Sequence, residues 1–513
     1  MAILETSIET GRVRGRICGG LRCAVFCGIP YAAPTSGNNR FRLPQHPEPW
    51  DGIRDCTQFG EICIQDKPVE GLMPFTDFFI REFYPYNWPM GENSLVLNIW
   101  TPAEDPAEKL PVMFWIHGGG MGSGYGHEME FDGEAIASRG CVLVTINYRV
   151  SFLAWLAHPD LTKENPDGIS GNLGLYDQNF AMQWVRRNIS AFGGDPDNVT
   201  IFGQSAGGGS VTNHLILPMS KGLFHKAIIQ SGSRGAATLG SRYGDSDSHD
   251  CIDMEAGERW GVNALNHIGK TIDQLREMDG LECYKLLEKA QQELGPCPRQ
   301  HYSSVFTNAA QAFYSGRSWD VPVMVGSVSG DDSLFSMNQK PGDFLEESLP
   351  GVNKEFFERY PLEGEGGEIE NALRATHNSN DFSIGCAREL CGQGATYTYY
   401  MNPYIPETNG IPFVPDGEAY HSVELWYIFG TLNRCWRRFD GRHYDLSRAV
   451  TDYWTNFARS GDPNGNGLPY WPRFTMAGGE TQILNERGIR TENRMNERLL
   501  AYYNFLYEVS NRN

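Results

Sequence analysis

Positive charge is scarce in this 513-residue chain. Its 43 Lys and Arg stand against 63 Asp and Glu, a formal net charge of −20, and its pI is near 5.1. Such a field repels phosphate backbones and anionic headgroups, so neither nucleic acid nor a membrane surface is an expected partner. The densest basic run, Arg434-Cys435-Trp436-Arg437-Arg438, reads as a solvated surface segment. Nowhere does the sequence approach the roughly 18 to 20 consecutive apolar residues that a membrane-spanning helix needs. The first ten residues carry Glu5 and Glu9 and no apolar stretch, so no secretory leader is expected. Cysteine is sparse, twelve in all, with no Cys-x-x-Cys pair. Cys18, Cys23 and Cys27 cluster without histidines at zinc-binding spacing, so no metal or cofactor is expected. The cysteines read as reduced and buried, and the cytoplasm as the compartment.

Internal repeats and low-complexity linkers are also missing, which favours one continuous domain over 1–513. With 40% hydrophobic, 21% charged and 12% aromatic residues the chain is globular. Apolar, β-branched runs at 111–116, 141–146 and 199–202 read as buried strands. Between the last two, Leu175, Ala181, Met182, Trp184 and Val185 recur at helical spacing. Strand, helix, strand predicts parallel pairing with right-handed crossovers, an α/β fold. Further strands are expected at 227–229, 321–325 and 395–400. Three stretches fit the alternation poorly: an aromatic-rich one at 61–93, and mixed-charge, helix-prone ones at 251–300 and 340–390. These are expected to be cap-like insertions, since long excursions within a compact fold are usually lids or binding elements.

The sharpest motif is Gly203-Gln204-Ser205-Ala206-Gly207, set between a strand and a run of small residues. A serine hydroxyl attacks only when a tight turn exposes it to a base, and flanking glycines permit the close strand–helix approach of such a turn. The following helix aims its first N–H groups at the reacting centre. His117-Gly118-Gly119-Gly120 follows the strand at 111–116, where backbone donors can stabilise an oxyanion. Gly119, Gly120 and Ala206 are the candidate donors, and His117 is expected to be structural.

With these motifs the sequence resembles the type-B carboxylesterase family, the cholinesterase-like branch of the α/β-hydrolase fold. Ordered matches run nearly end to end, among them Cys27-Gly28-Ile29-Pro30-Tyr31, Glu92-Asn93-Ser94-Leu95, Gly171-Asn172-Leu173-Gly174, Phe192-Gly193-Gly194-Asp195-Pro196 and Gly461-Asp462-Pro463-Asn464. The resemblance implies a large, mostly parallel central sheet of about eleven strands flanked by helices, with lid and gorge insertions. It also implies internal ion pairs Arg40–Glu92 and Arg149–Asp177, and a serine, Ser231, near the triad acid. Secreted relatives close the 64–93 loop with a disulfide. Here Cys63 matches one partner while Ser94 holds the other position, and Cys283 likewise lacks its match. An untethered loop suggests a mobile lid or gorge wall.

The fold sets the chain order serine, acid, histidine. After the strand at 321–325, Asp331 and Asp332 offer two adjacent carboxylates. The family carries Asp-Glu-Gly here, and an ungapped match puts Asp331 at the Glu position, with Asp332 as the alternative. Of the later histidines, His421 matches the family's general base, while His377 and His443 sit among polar neighbours and read as surface residues. The expected activity is hydrolysis of carboxylic esters, with short to medium acyl chains, through a Ser205–His421–Asp331 triad and an acyl-enzyme. The expected partner is a small-molecule ester. A lipase or a specialised detoxifying or plant-polymer esterase is the alternative, and a non-catalytic binding protein a remote one. Ser205→Ala is expected to abolish hydrolysis of a chromogenic short-chain ester without unfolding the protein; substantial residual turnover would reject the assignment.

Overall fold

The structure, a computed structural model, describes residues 2–18, 23–67, 71, 74–84, 87–233, 252–298, 301–302, 309–331, 355, 358–359, 380–409 and 416–511. Asp332, His377 and most of the 340–390 insertion lie outside the described residues.

Among the described residues eleven strands form the main sheet. In chain order they are β1 (Arg16–Ile17), β2 (Ala24–Pro30), β3 (Val96–Thr101), β4 (Leu110–Ile116), β5 (Val142–Ile146), β6 (Gly194–Gln204), β7 (Lys226–Gln230), β8 (Val323–Val328), β9 (Thr396–Met401), β10 (Glu480–Leu484) and β11 (Arg490–Asn493). Their spatial order is β1-β2-β3-β5-β4-β6-β7-β8-β9-β10-β11. Pairing is parallel from β5 through β10 and antiparallel at both margins. The central strands are buried along nearly their whole length because helices cover both faces, and that is why they read as continuous apolar runs.

Most of the expected strands start and end within a residue of expectation, and two larger differences have physical reasons. β8 begins at Val323 instead of residue 321, since Pro322 has no N–H to enter a ladder and offers only its carbonyl, which accepts from Ala227 N at 3.1 Å. β6 reaches back to Gly194, which pairs with Leu110 before a register shift ahead of Val199. The crossover from β5 to β6 is a helix at Leu173–Asn188 that buries Ala181, Met182, Trp184 and Val185.

The insertions are mainly helical where described, with two short parallel ladders, Ile62–Cys63 on Met90–Gly91 and Ile252–Asp253 on His301–Tyr302. The 61–93 stretch, whose aromatics show no clean period, contains helix α1 (Pro74–Glu82). The 251–300 stretch folds as helices Met254–Ile268, Ile272–Glu277 and Gly280–Leu294. Thr271 and Gln274 form a reciprocal cap on the second, and Asp279 caps the third.

Both ion pairs form. Arg40 meets Glu92 at 2.7 and 2.5 Å and donates to the carbonyl of Met278 at 3.0 Å, so one guanidinium ties the N-terminal segment to two insertions. Arg149 meets Asp177 at 2.8 and 2.7 Å, with side chains 1% and 0% exposed. The eleven described cysteines are all free, and ten are buried. Among the described residues no helix is long and apolar enough to cross a membrane.

Two surface expectations are corrected. His443 is buried, because it lies on the inward stripe of helix Gly441–Ser460 and pairs its Nδ1 with Tyr427 OH at 2.9 Å. The basic run divides: Arg434 and Arg438 are exposed, whereas Cys435 is buried and Arg437 is fully enclosed by an ion pair.

Removing one partner of a buried pair strands the other charge. Asp177→Ala is therefore expected to lower unfolding free energy by about 3–5 kcal/mol in a denaturant titration. A loss below about 1 kcal/mol would show that the Arg149 charge finds water.

Candidate active site

The carboxyl ends of β4, β6, β7 and β8 converge on one region, where side chains on the ends of open parallel sheets commonly meet ligands. Ser205 follows β6 and N-caps helix Ala206–His214 with φ 56° and ψ −124°. This is left-handed backbone that a non-glycine residue adopts at a cost of about 1–3 kcal/mol. The turn is held by Ser205 N donating to the carbonyl of Gln230 at 2.9 Å and Gly209 N donating to that of Ser205 at 2.8 Å.

The glycines on either side are there for contact. A Cβ on Gly207 would lie 2.0 Å from the carbonyl oxygen of Ile116, and one on Gly203 would lie 2.5 Å from the backbone of Gly207. The 118–120 loop leaves β4 directly beside this turn, for a Cβ on Gly118 would come within 3.2 Å of Cβ of Ser205. Gly119 and Gly120 have φ of +94° and +57°. A Cβ on Gly119 would collide with the Ser123 carbonyl at 2.2 Å, so the loop's curl requires glycine there. Ala206 opens the helix after Ser205. His117 is enclosed, its ring stacked on Tyr148 at 4.2 Å.

Asp331 and His421 come together from 90 residues apart, with Nδ1 and Oδ1 separated by 2.6 Å. The backbone holds both loops in register: Gly330 N donates to the carbonyl of Ala419 at 2.7 Å, and Gly330 bridges Tyr420. A carboxylate on Nδ1 keeps the ring proton there and leaves Nε2 with its lone pair. That Nε2 lies 3.3 Å from Nε2 of Gln204, the residue directly before Ser205.

Apart from Ser231, the polar groups around this ring carry no role in the sequence. Gln204 Oε1 accepts from Ser422 Oγ at 3.0 Å. Glu424 is fully buried, and burial together with the nearby Asp331 charge pushes its carboxyl above the ordinary range. Ser231 Oγ faces Glu424 Oε1 at 3.5 Å. Ser233 and Ser327 each donate to the buried Asp381 at 2.7 Å, and burial raises that carboxyl to about 6. The one available signal was position, since Gln204, Ser422 and Glu424 lie within three residues of Ser205 or His421.

Beyond the glycine loop stands an aromatic wall. Phe59 stacks on His127 at 4.6 Å, and Trp88 and Tyr125 flank the same imidazole at 4.8 Å each. Neither ring nitrogen of His127 has a hydrogen-bond partner among the described residues. Burial lowers its pKa to about 3, so the folded protein keeps it neutral.

Comparison with known proteins agrees with this architecture. The model of the carboxylesterase family matches residues 2–502.
The chain belongs to the carboxylesterase family. Para-nitrobenzyl esterase of Bacillus subtilis (strain 168) is 30% identical over 496 residues, covering 93% of this chain and 94% of the relative. Fumonisin B1 esterase of Sphingopyxis macrogoltabida is 32% identical over 479 residues, covering 88% and 82%. Among solved structures, a thermophilic para-nitrobenzyl esterase superposes with a TM-score of 0.78 at 26% identity, covering 97% of this chain and 99% of the other. A carboxylesterase of Geobacillus stearothermophilus gives 0.77 at 27% identity, covering 98% and 100%. The fold of this carboxylesterase is that of the α/β-hydrolases, and its class is hydrolase of carboxylic esters.

His127 yields a pH prediction. The unfolded chain protonates it near pH 6.5, the fold resists protonation to about pH 3, and the stability it supports is full above 6.5 and lost on acidification. His127→Phe, which keeps the stack, is expected to raise the melting temperature more at pH 5 than at pH 8. An equal shift at both pH values would refute the account.

Proposed function

We propose that this carboxylesterase cleaves esters by two-step acyl transfer, with Ser205 as nucleophile, His421 as general base and Asp331 as the acid that orients it. The observation that carries the reading is the His421–Asp331 contact of 2.6 Å, with the other ring nitrogen 3.3 Å from the side chain of Gln204, which directly precedes Ser205. Ser205 attacks the ester carbonyl as its proton passes to Nε2 of His421. The carbonyl oxygen becomes an oxyanion that the N–H groups of Gly119, Gly120 and Ala206 stabilise, each donor contributing about 3–4 kcal/mol. His421 returns the proton to the departing alcohol, leaving the acyl-enzyme. Water then repeats the sequence, and the carboxylic acid leaves. Asp331 stays ionised throughout and stabilises the imidazolium.

The chain acts as a single domain in which the insertions around 61–93, 251–300 and 340–390 wall the approach to the serine. Its substrates are small esters with short to medium acyl chains, and the Gly118-Gly119-Gly120 loop goes with bulky alcohol groups. A specialised detoxifying role is the second reading, favoured by relatives named fumonisin B1 esterase and, in Rattus norvegicus, pyrethroid hydrolase Ces2e. The free, buried cysteines support a reducing, cytoplasmic setting.

A panel of soluble esters varying acyl length and alcohol bulk, run beside emulsified long-chain triglyceride, tests the substrate class. Highest kcat/KM on the emulsion would overturn it. Asp331→Asn is expected to lower kcat about 10³–10⁴-fold with little change in KM; a loss under about ten-fold would move the acid's role elsewhere.

A further inference from the structure

We infer that Glu82, at the C-terminal end of α1, is a positioning residue for the His421 ring and acts through Tyr420. The inference rests on the proposed role of His421 as base.

Glu82 is fully enclosed and gathers donors from four side chains, among them the Cys435 thiol, whose Sγ lies 3.6 Å from Oε1. Arg437 grips it with two parallel bonds, Nε to Oε1 at 3.0 Å and Nη2 to Oε2 at 3.1 Å, both side chains being 0% exposed. Trp436 Nε1 donates to Oε2 at 2.8 Å. The Tyr420 hydroxyl donates to Oε1. Packing repeats the connection: Phe78 meets the Tyr420 ring edge-on at 5.1 Å, and Phe83 stacks on Trp426 at 6.1 Å.

Tyr420 is where this cluster reaches the chemistry. It directly precedes His421, and its backbone bridges Gly330, which directly precedes Asp331. Its side chain therefore ties the base loop and the acid loop to α1 at a single carboxylate. Packing of Phe78 and Phe83 would suffice to seat a wall. A fully buried ion pair adds little net stability over apolar side chains of the same size, but bidentate geometry fixes direction as well as distance. What Glu82 adds is a fixed orientation for Tyr420. The 61–93 insertion is thus fastened, at the end of α1, to the loop carrying the proposed base.

The test begins with Tyr420→Phe, which removes one hydroxyl and leaves Glu82 with Arg437, Trp436 and the Cys435 thiol. On p-nitrophenyl butyrate kcat is expected to fall about ten-fold, with KM within about two-fold and the melting temperature within a few degrees of the parent. A second variant, Glu82→Met with Arg437→Leu, replaces the pair by apolar groups and is expected to fold and to show the same kcat loss. Parental kcat in Tyr420→Phe, or in the folded double variant, overturns the inference, as does a lowered melting temperature with kcat unchanged. Turnover retained by His421→Ala would instead overturn the base assignment, so the two failures are distinguishable.

Discussion

The site depends on one close approach of backbone to backbone. The turn after β6 comes so near the end of β4 that a Cβ at residue 207 would lie 2.0 Å from the Ile116 carbonyl oxygen. Only glycine fits there, and only that spacing sets the 118–120 loop beside Ser205. The strained φ of Ser205 follows from the same constraint, since the chain reverses from a buried strand into a helix within one residue. Parallel pairing of β4, β6, β7 and β8 supplies the rigid frame, and their carboxyl ends deliver the loops to one side.

Around this frame the protein buries several charged pairs. Arg40–Glu92, Arg149–Asp177 and Arg437–Glu82 each join segments distant in sequence. Such pairs contribute little net stability compared with apolar packing, and their geometry fixes register between loops. Near His421 the carboxyls of Asp331, Asp381 and Glu424 crowd together. Burial, with the Asp331 charge, raises the carboxyls of Asp381 and Glu424 above their ordinary range.

Much of this was legible in the sequence. Apolar runs at 111–116 and 141–146 were strands because both faces are covered, and Gly203-Gln204-Ser205-Ala206-Gly207 marked its turn because the steric demand is local. The misreadings share a cause. His443 sits among polar neighbours and Arg437 in a basic run, and sequence context averages over both faces of a segment. In the helix Gly441–Ser460 only the inward stripe is buried, and His443 is on it. Likewise the aromatic crowd at 61–93 hid a nine-residue helix, since its rings serve packing on several sides.

The sequence by itself determined the central strands β4 to β9 and the glycine turns after β4 and β6, for each is settled by sterics and periodicity over a few neighbouring residues; β1, β2, β3, β10 and β11 at the sheet margins it did not mark. It also placed the serine, the candidate acids and the histidine in order along the chain. Only the tertiary structure decided which polar groups face one another: Asp331 with His421 across 90 residues, and Glu82 with Tyr420 across 338. Such encounters depend on how the sheet stacks its loops, and a buried polar group must find its partner wherever that packing brings one within reach.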